Sequence, residues 1–174
     1  MTILITLLRM SCVGMKRFLG VDKMKNDKLT IYLAGKMSGL SKEEYTKWRN
    51  IISDELIGAA HLIGAKIQVI NPAEYFDFEN MDRHLEKEVM QFDLNMVRQS
   101  DIVIVNVGSI SESIGTAIEL YEANRLDIPI IAYTEGDVNN NIHPWIENCL
   151  STVQMNRSEL ITYIIDFYMD RYIK

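Results

Sequence analysis

Two carboxylates sit where packing alone would not place them. Around residues 91–101 (QFDLNMVRQSD), a helical wheel gathers Leu85, Val89, Phe92, Met96 and Val97 into one apolar sector, and Asp93 falls inside it, between Val89 and Val97. A carboxylate there loses hydration unless it is hydrogen-bonded or opens into a pocket, and burial raises its pKa. The second acid is Glu119 in residues 113–119 (SIGTAIE), with Gly115 at i−4, Thr116 at i−3 and Ala123 at i+4. Those small side chains leave space over one helix face, while Ile114, Ala117, Ile118 and Tyr121 are expected to supply the core face. Two acids held against packing suit acid–base or nucleophilic chemistry. Each has a plain structural reading as well. Asp93 can be a buried acid satisfied by backbone or tyrosine groups, and Thr116-x-x-Glu119 has the spacing of a capping box.

The elements that must position these acids alternate along the chain. Residues 29–34 (LTIYLA) read as a buried strand running into the glycine turn Gly35-Lys36-Met37-Ser38-Gly39. Ser41 and Glu44 have capping-box spacing and open a helix from Lys42 to about Ile63. A short strand over 66–70 stops at Asn71-Pro72. A helix over 81–99 leads to the clearest strand, 101–107 (DIVIVNV), then a helix over 113–125 and a strand over 128–133. A polar loop follows, then His143-Pro144-Trp145 with a short helix, a weak strand near Thr152, and a last helix over 159–172. Strands alternating with helices predict an α/β fold, a doubly wound, flavodoxin-like parallel sheet of about five strands with helices on both faces. Ligands bind such sheets at the carboxyl ends of the strands, which puts the Gly35 turn, Asn71, the loop before Ser113 and the loop before His143 along one rim.

Several rim residues are candidate ligand contacts. The turn at Gly35, Lys36 and Ser38 matches neither a Walker loop nor a dinucleotide fingerprint, yet it can present N–H groups to a phosphate or sugar, or simply reverse the chain. Ser113, Gly115 and Thr116 stand near a helix N-terminus, which favours anions, and Ser113 is equally an N-cap. His143 begins a helix at the same rim. His61, His84 and His143 lack metal-ligand spacing, and no metal or other cofactor is expected. Tyr45, Trp48, Met90, Phe167, Tyr168 and Tyr172 read as core or interface packing.

Composition narrows the class. A chain of 174 residues supports one domain, and 48% hydrophobic with 24% charged residues is ordinary for a globular protein. A net charge of −6 argues against a surface for a nucleic-acid polymer but not against one small nucleotide. Cys12 and Cys149 read as unpaired thiols in a reducing cytoplasm. The apolar run over residues 1–8 is too short to span a membrane, and its flanking charges are in the wrong order for a signal peptide. Residues 1–27 are expected to be an extension, loosely packed or outside the native protein, with the working domain over 28–174.

These residues resemble the nucleoside 2-deoxyribosyltransferase superfamily over about 29–149. The landmarks are Ile31-Tyr32-Leu33-Ala34-Gly35, Asn71-Pro72, Asp93-Leu94-Asn95 with Ser100-Asp101, and Ser113-x-Gly115-x-x-x-Glu119. The opening YLAGKMSGL and the segment INPAEYF are most similar to a poorly characterised, often phage-associated branch. The pieces around Asp93 and Glu119 are also similar to 2′-deoxynucleoside 5′-monophosphate N-glycosidases. The resemblance implies that Glu119 is a nucleophile at the anomeric carbon, that Asp93 assists proton transfer or holds the sugar, and that Tyr32 orients the glutamate. It also implies a homo-oligomer whose site is shared between subunits; the apolar C-terminal helix, outside the resemblance, is a candidate contact. Ser113 stands where the transferases carry an acid and the monophosphate hydrolases a phosphate-binding serine. Lys36 and His143 stand where those hydrolases carry other serines. The expected activity is cleavage or transfer of the N-glycosidic bond of a 2′-deoxynucleoside or its 5′-monophosphate. The alternatives are a non-catalytic nucleotide sensor and a structural partner of the same fold.

Overall fold

The computed structural model describes residues 27–76, 85–108, 110–134 and 142–173. The expected extension with Cys12, the first turn expected from Met81 with His84, and the loop over 135–141 lie outside these residues. Strands β1 (Leu29–Ala34), β2 (Ile67–Ile70), β3 (Ile102–Asn106), β4 (Ile130–Tyr133) and β5 (Thr152–Gln154) form one parallel sheet in the order β2-β1-β3-β4-β5. Its helices are α1 (Lys42–Ile63), α2 (Glu86–Gln99), α3 (Ile114–Arg125), α4 (Pro144–Glu147) and α5 (Arg157–Phe167). The expected flavodoxin-like, doubly wound order is the one observed.

β1 and β4 are buried along their whole length and β3 along most of its own, because helices cover both faces of the sheet. Ile31, Leu33, Ile104 and Ile131 face α1 and α5, meeting Ile52, Leu56, Leu160 and Ile164. Tyr32, Ala34, Val103 and Val105 face α2 and α3, meeting Val97, Leu120 and Ala123. The strand order turns back on itself between β1 and β3, so a crevice at that switch point is the natural ligand position. Asp101 fastens these two strands: its side chain accepts from the Thr30 N–H at 2.9 Å, and its own N–H donates to the Thr30 carbonyl at 2.8 Å.

Local chemistry sets the helix ends. The Ser41–Glu44 capping box forms as its spacing predicts, and Gly64 closes α1 in the left-handed conformation at φ 72°. The last helix differs from expectation at both ends. It begins at Arg157 because Asn156 caps it, accepting from the Glu159 N–H. It stops at Phe167 and becomes a 3-10 turn, after which the Tyr172 carbonyl accepts from Lys66 N–H and Ile173 bridges Ala65. Leu160 and Ile164 of its apolar face fill the core, while Phe167 stays exposed. Tyr45 is core as expected, whereas Met90 is exposed. Among the described residues no helix is long and apolar enough to cross a membrane.

Leu56 is fully buried and Leu62, a turn and a half further along α1, is 88% exposed. Leu56→Ala is expected to cost about 2–5 kcal/mol and Leu62→Ala less than about 0.5 kcal/mol, read from urea unfolding midpoints. Similar costs at both positions would contradict the assigned packing face.

Candidate active site

Asp93 is buried on α2 between Val89 and Val97, as the wheel predicts. Phe92 and Met96 flank it at half burial, but Leu85 does not share the face: it stands ahead of the first helical turn and is exposed. The expected face of α3 needs a larger correction. Ile114, Ile118 and Tyr121 are exposed, Ile114 by 79%, while Thr116, Glu119, Leu120, Glu122 and Ala123 turn inward. The inward face carries the glutamate among Thr116, Leu120 and Ala123, and Ile114, Ile118 and Tyr121 are left outside.

Thr116 and Glu119 do not form a capping box. Ser113 is the N-cap, its Oγ accepting from Thr116 N–H at 3.4 Å and lying 2.8 Å from Thr116 Oγ1. This makes Thr116 the third helical residue and frees Glu119 from any capping role. The Glu119 Oε1 instead accepts from the Tyr32 hydroxyl at 2.7 Å. Tyr32 is fully buried on β1, and burial followed by the nearby carboxylates holds its phenol protonated well above the usual range. It is therefore a donor to Glu119.

Asp93 and Glu119 share one environment. Each is 7% exposed, and among the described residues Asp93 Oδ1 has no hydrogen-bond partner. Burial pushes Asp93 up to about 7, opposed by the charge of Arg49. Burial likewise pushes Glu119 up to about 8; the Tyr32 hydrogen bond opposes this, the charge of Asp93 adds to it, and Arg49 opposes it. Burial thus favours the protonated form of both acids near neutrality, and the two titrate as a coupled pair rather than independently. Reasoning from the sequence missed Arg49. The test that singled out Asp93 would have found it, because Tyr45, Arg49, Ile52, Leu56 and Ala60 form the buried stripe of α1.

A clamp holds the helices bearing the acids. Glu122 accepts from Arg98 Nε of α2 at 2.6 Å and from Arg125 Nη2 at 2.8 Å. The hydrogen bonds from Arg125 and then Arg98 hold its carboxyl down at about 2. It thus stays ionised across the range in which Asp93 and Glu119 titrate.

The rim candidates divide. Lys36 lies on the β1–α1 loop and pairs with Glu112 of the β3–α3 loop at 2.5 Å, joining two rim segments. Gly35 is buried, and a Cβ there would lie 2.7 Å from Trp48 Cζ2, so its glycine makes room for a packed side chain. Gly39 closes the turn at φ 78°, with Ser38 exposed beside it. Gly115 is exposed with open space over it. His143 is exposed, and its Nδ1 accepts from Trp145 N–H as the cap of α4. Asn71 is buried, accepting from Ala73 N–H and donating to Asn50 and Glu74.

Both buried acids keep their protons to higher pH in the folded chain than in the unfolded one, where their ordinary values are 3.8 and 4.5. Each therefore favours folding most at pH values below its unfolded pKa, and that contribution is lost as pH rises toward 7–8. Asp93→Asn is accordingly expected to gain stability over wild type at pH 8 and to gain less at pH 5, measured by urea unfolding at both. A gain independent of pH would contradict the raised titration.

The model of the nucleoside 2-deoxyribosyltransferase family matches residues 31–152. Among solved structures, a 2-deoxyribosyltransferase of Bacillus psychrosaccharolyticus is 21% identical, covering 77% of this chain and 91% of its own, at TM-score 0.57. A conserved protein from Enterococcus faecalis V583 is 16% identical, covering 80% and 98%, at TM-score 0.62. The Clostridium botulinum CMP N-glycosidase BcmB is 17% identical over 80% and 98%, at TM-score 0.49. No curated protein matches the sequence. The match spans both acids, Tyr32 and most of the sheet, and the chain belongs to the nucleoside 2-deoxyribosyltransferase family.

Proposed function

We propose that this protein cleaves or transfers the N-glycosidic bond of a 2′-deoxynucleoside or its 5′-monophosphate, with Glu119 as nucleophile. The observation that carries the reading is the buried Tyr32–Glu119 hydrogen bond beside a second raised carboxyl, in a chain of this family. Tyr32 occupies one glutamate oxygen and leaves the other to attack the anomeric carbon. As that C–O bond forms, the bond to the base nitrogen breaks and its electron pair goes to the base, which takes a proton from Asp93. The glycosyl ester then yields to water, deprotonated by Asp93, or to the nitrogen of a second base. The first outcome is hydrolysis and the second transfer.

Lys36, Ser38 and Ser113, with the open N–H groups at the start of α3, form the proposed side for a phosphate, and Gly115 and Thr116 leave space for the sugar. A phosphate would compete with Glu112 for Lys36. His143 is a further candidate contact in this reading. Cytoplasmic location and a homo-oligomer with a shared site belong to the same proposal. For the oligomer, the exposed stripe Ile114, Ile118 and Tyr121 now replaces the last helix as the contact we favour.

Free base released from a panel of deoxynucleosides and monophosphates, followed by chromatography, tests the reaction. Glu119→Gln is expected to lower release by at least about a thousandfold and Asp93→Asn by roughly 10²–10⁴-fold. Tyr32→Phe should lower it by roughly 10–100-fold. Release that survives Glu119→Gln removes the nucleophile, and ligand binding without release in wild type indicates a sensor. Lys36→Met is expected to lower kcat/KM roughly tenfold or more for the monophosphate and little for the nucleoside. Equal losses would sink the phosphate contact.

A further inference from the structure

Helix α1 buries an arginine in a stripe that is otherwise aromatic or aliphatic, and Arg49 has no exposed surface. A buried guanidinium is expensive unless its donors are satisfied and its charge is balanced. Its donors are met by main-chain oxygens. Nη2 donates to the Gly35 carbonyl at 2.6 Å, Nη1 to Tyr45 at 2.5 Å and Nε to Leu33 at 3.4 Å. The guanidinium also lies 4.4 Å from the centre of the Trp48 ring. These partners are neutral dipoles and a π face. They fix the group in place without cancelling its charge.

The strand that holds Arg49 also leads to the acids: Leu33 accepts from Arg49, and its neighbour Tyr32 holds Glu119 on the other face of the sheet. Leu33 and Gly35 mark the carboxyl end of β1, where the strand ceases to separate the two helical layers. The titratable groups that feel Arg49 there are Glu119 on α3, Asp93 on α2, Tyr32 on β1 and Tyr133 on β4. Gly35 makes the approach possible, since a Cβ there would crowd Trp48 and stand 3.3 Å from Arg49 Nη2. One fixed cation thus lies at the strand end from which Tyr32 reaches Glu119, and its rigid fork ties down the start of the loop that carries Lys36.

We propose that Arg49 is a positioning residue for this site: held by carbonyls at the end of β1 and touching no substrate, it supplies a fixed positive charge that favours the ionised form of the Asp93–Glu119 pair. This rests on the reading of Glu119 as nucleophile. The charge favours the ionised carboxylate while the glutamate waits to attack. It also opposes ionisation of both acids together less than an apolar core would, and so sets the pH at which the pair changes state.

The test compares Arg49→Gln, which is neutral but can still donate to carbonyls, with Arg49→Lys, which keeps the charge without the planar fork. In Arg49→Gln the acid limb of the kcat/KM profile for base release should move up by about one pH unit or more. Arg49→Lys should recover at least half of that displacement. An unmoved limb in Arg49→Gln, whatever the loss of rate, assigns Arg49 to packing and overturns the proposal. The side-chain carboxyl ¹³C titrations of Asp93 and Glu119 should rise in Arg49→Gln whether or not the protein turns over any nucleoside. A wild type that releases no base, together with a displaced carboxyl titration, defeats the proposed reaction and keeps the electrostatic role. Coincident titrations defeat the role itself. If Arg49→Gln does not fold, the Arg49 Nε resonance of wild type provides the answer. It should titrate with the two carboxyls and lose one of those steps in Glu119→Gln, and a resonance indifferent to both overturns the proposal.

Discussion

The hydrogen bond from the Tyr32 hydroxyl to Glu119 is the contact on which the site's geometry depends. It joins the centre of the sheet to the helix that carries the proposed nucleophile, and it does so where water is nearly absent. A charged acceptor strengthens such a bond, and a low-dielectric surrounding makes its loss costly. It also explains the face of α3 turned inward. Helix α3 could have buried Ile114, Ile118 and Tyr121; instead it leaves them in solvent and places Glu119 against the sheet. The apolar burial forgone is the stability given up to hold a carboxyl in position.

The surrounding fold limits how far that carboxyl can move. Asp101 locks β1 to β3 on either side of the switch point. Glu122, held by Arg98 and Arg125, couples α2 to α3, the helices that carry the two acids. The result is a contrast among three neighbouring carboxyls. Glu122 has two guanidinium partners and stays low, whereas Asp93 and Glu119 share a more distant one and rise. Burial of the carboxyl raises Asp93 and Glu119, whereas direct hydrogen bonds from Arg125 and Arg98 hold Glu122 down, so only the first two remain able to exchange a proton near neutrality.

The rim of the sheet shows why single motifs mislead. Gly35 and Gly39 look like one phosphate-binding turn, but each is a glycine for its own reason: Gly35 lies against Trp48 and Arg49, and Gly39 takes a positive φ. Ser100 and Asp101 read as a family landmark, and both have structural duties. Ser100 Oγ donates to the Met96 carbonyl at the end of α2, and Asp101 fastens the strands. Landmark residues here include those that build the site's frame as well as those proposed to act in it.

The sequence by itself determined the strand and helix order, the parallel sheet and the odd position of Asp93, because buried runs and helical periodicity are local properties of the chain. It determined the α1 cap for the same reason, since Ser41 and Glu44 are three residues apart. Only the tertiary structure decided between a cap and a buried acid for Glu119, because its partner, Tyr32, is 87 residues away. The inward face of α3 was likewise hidden: its composition favours the side with more hydrocarbon, and the bond to β1 reverses that choice. Arg49 was visible as a charge in an apolar stripe, but its meaning was not. A lone cation in a helix says nothing of two acids on the far side of a sheet until the end of β1 brings them within reach of its field.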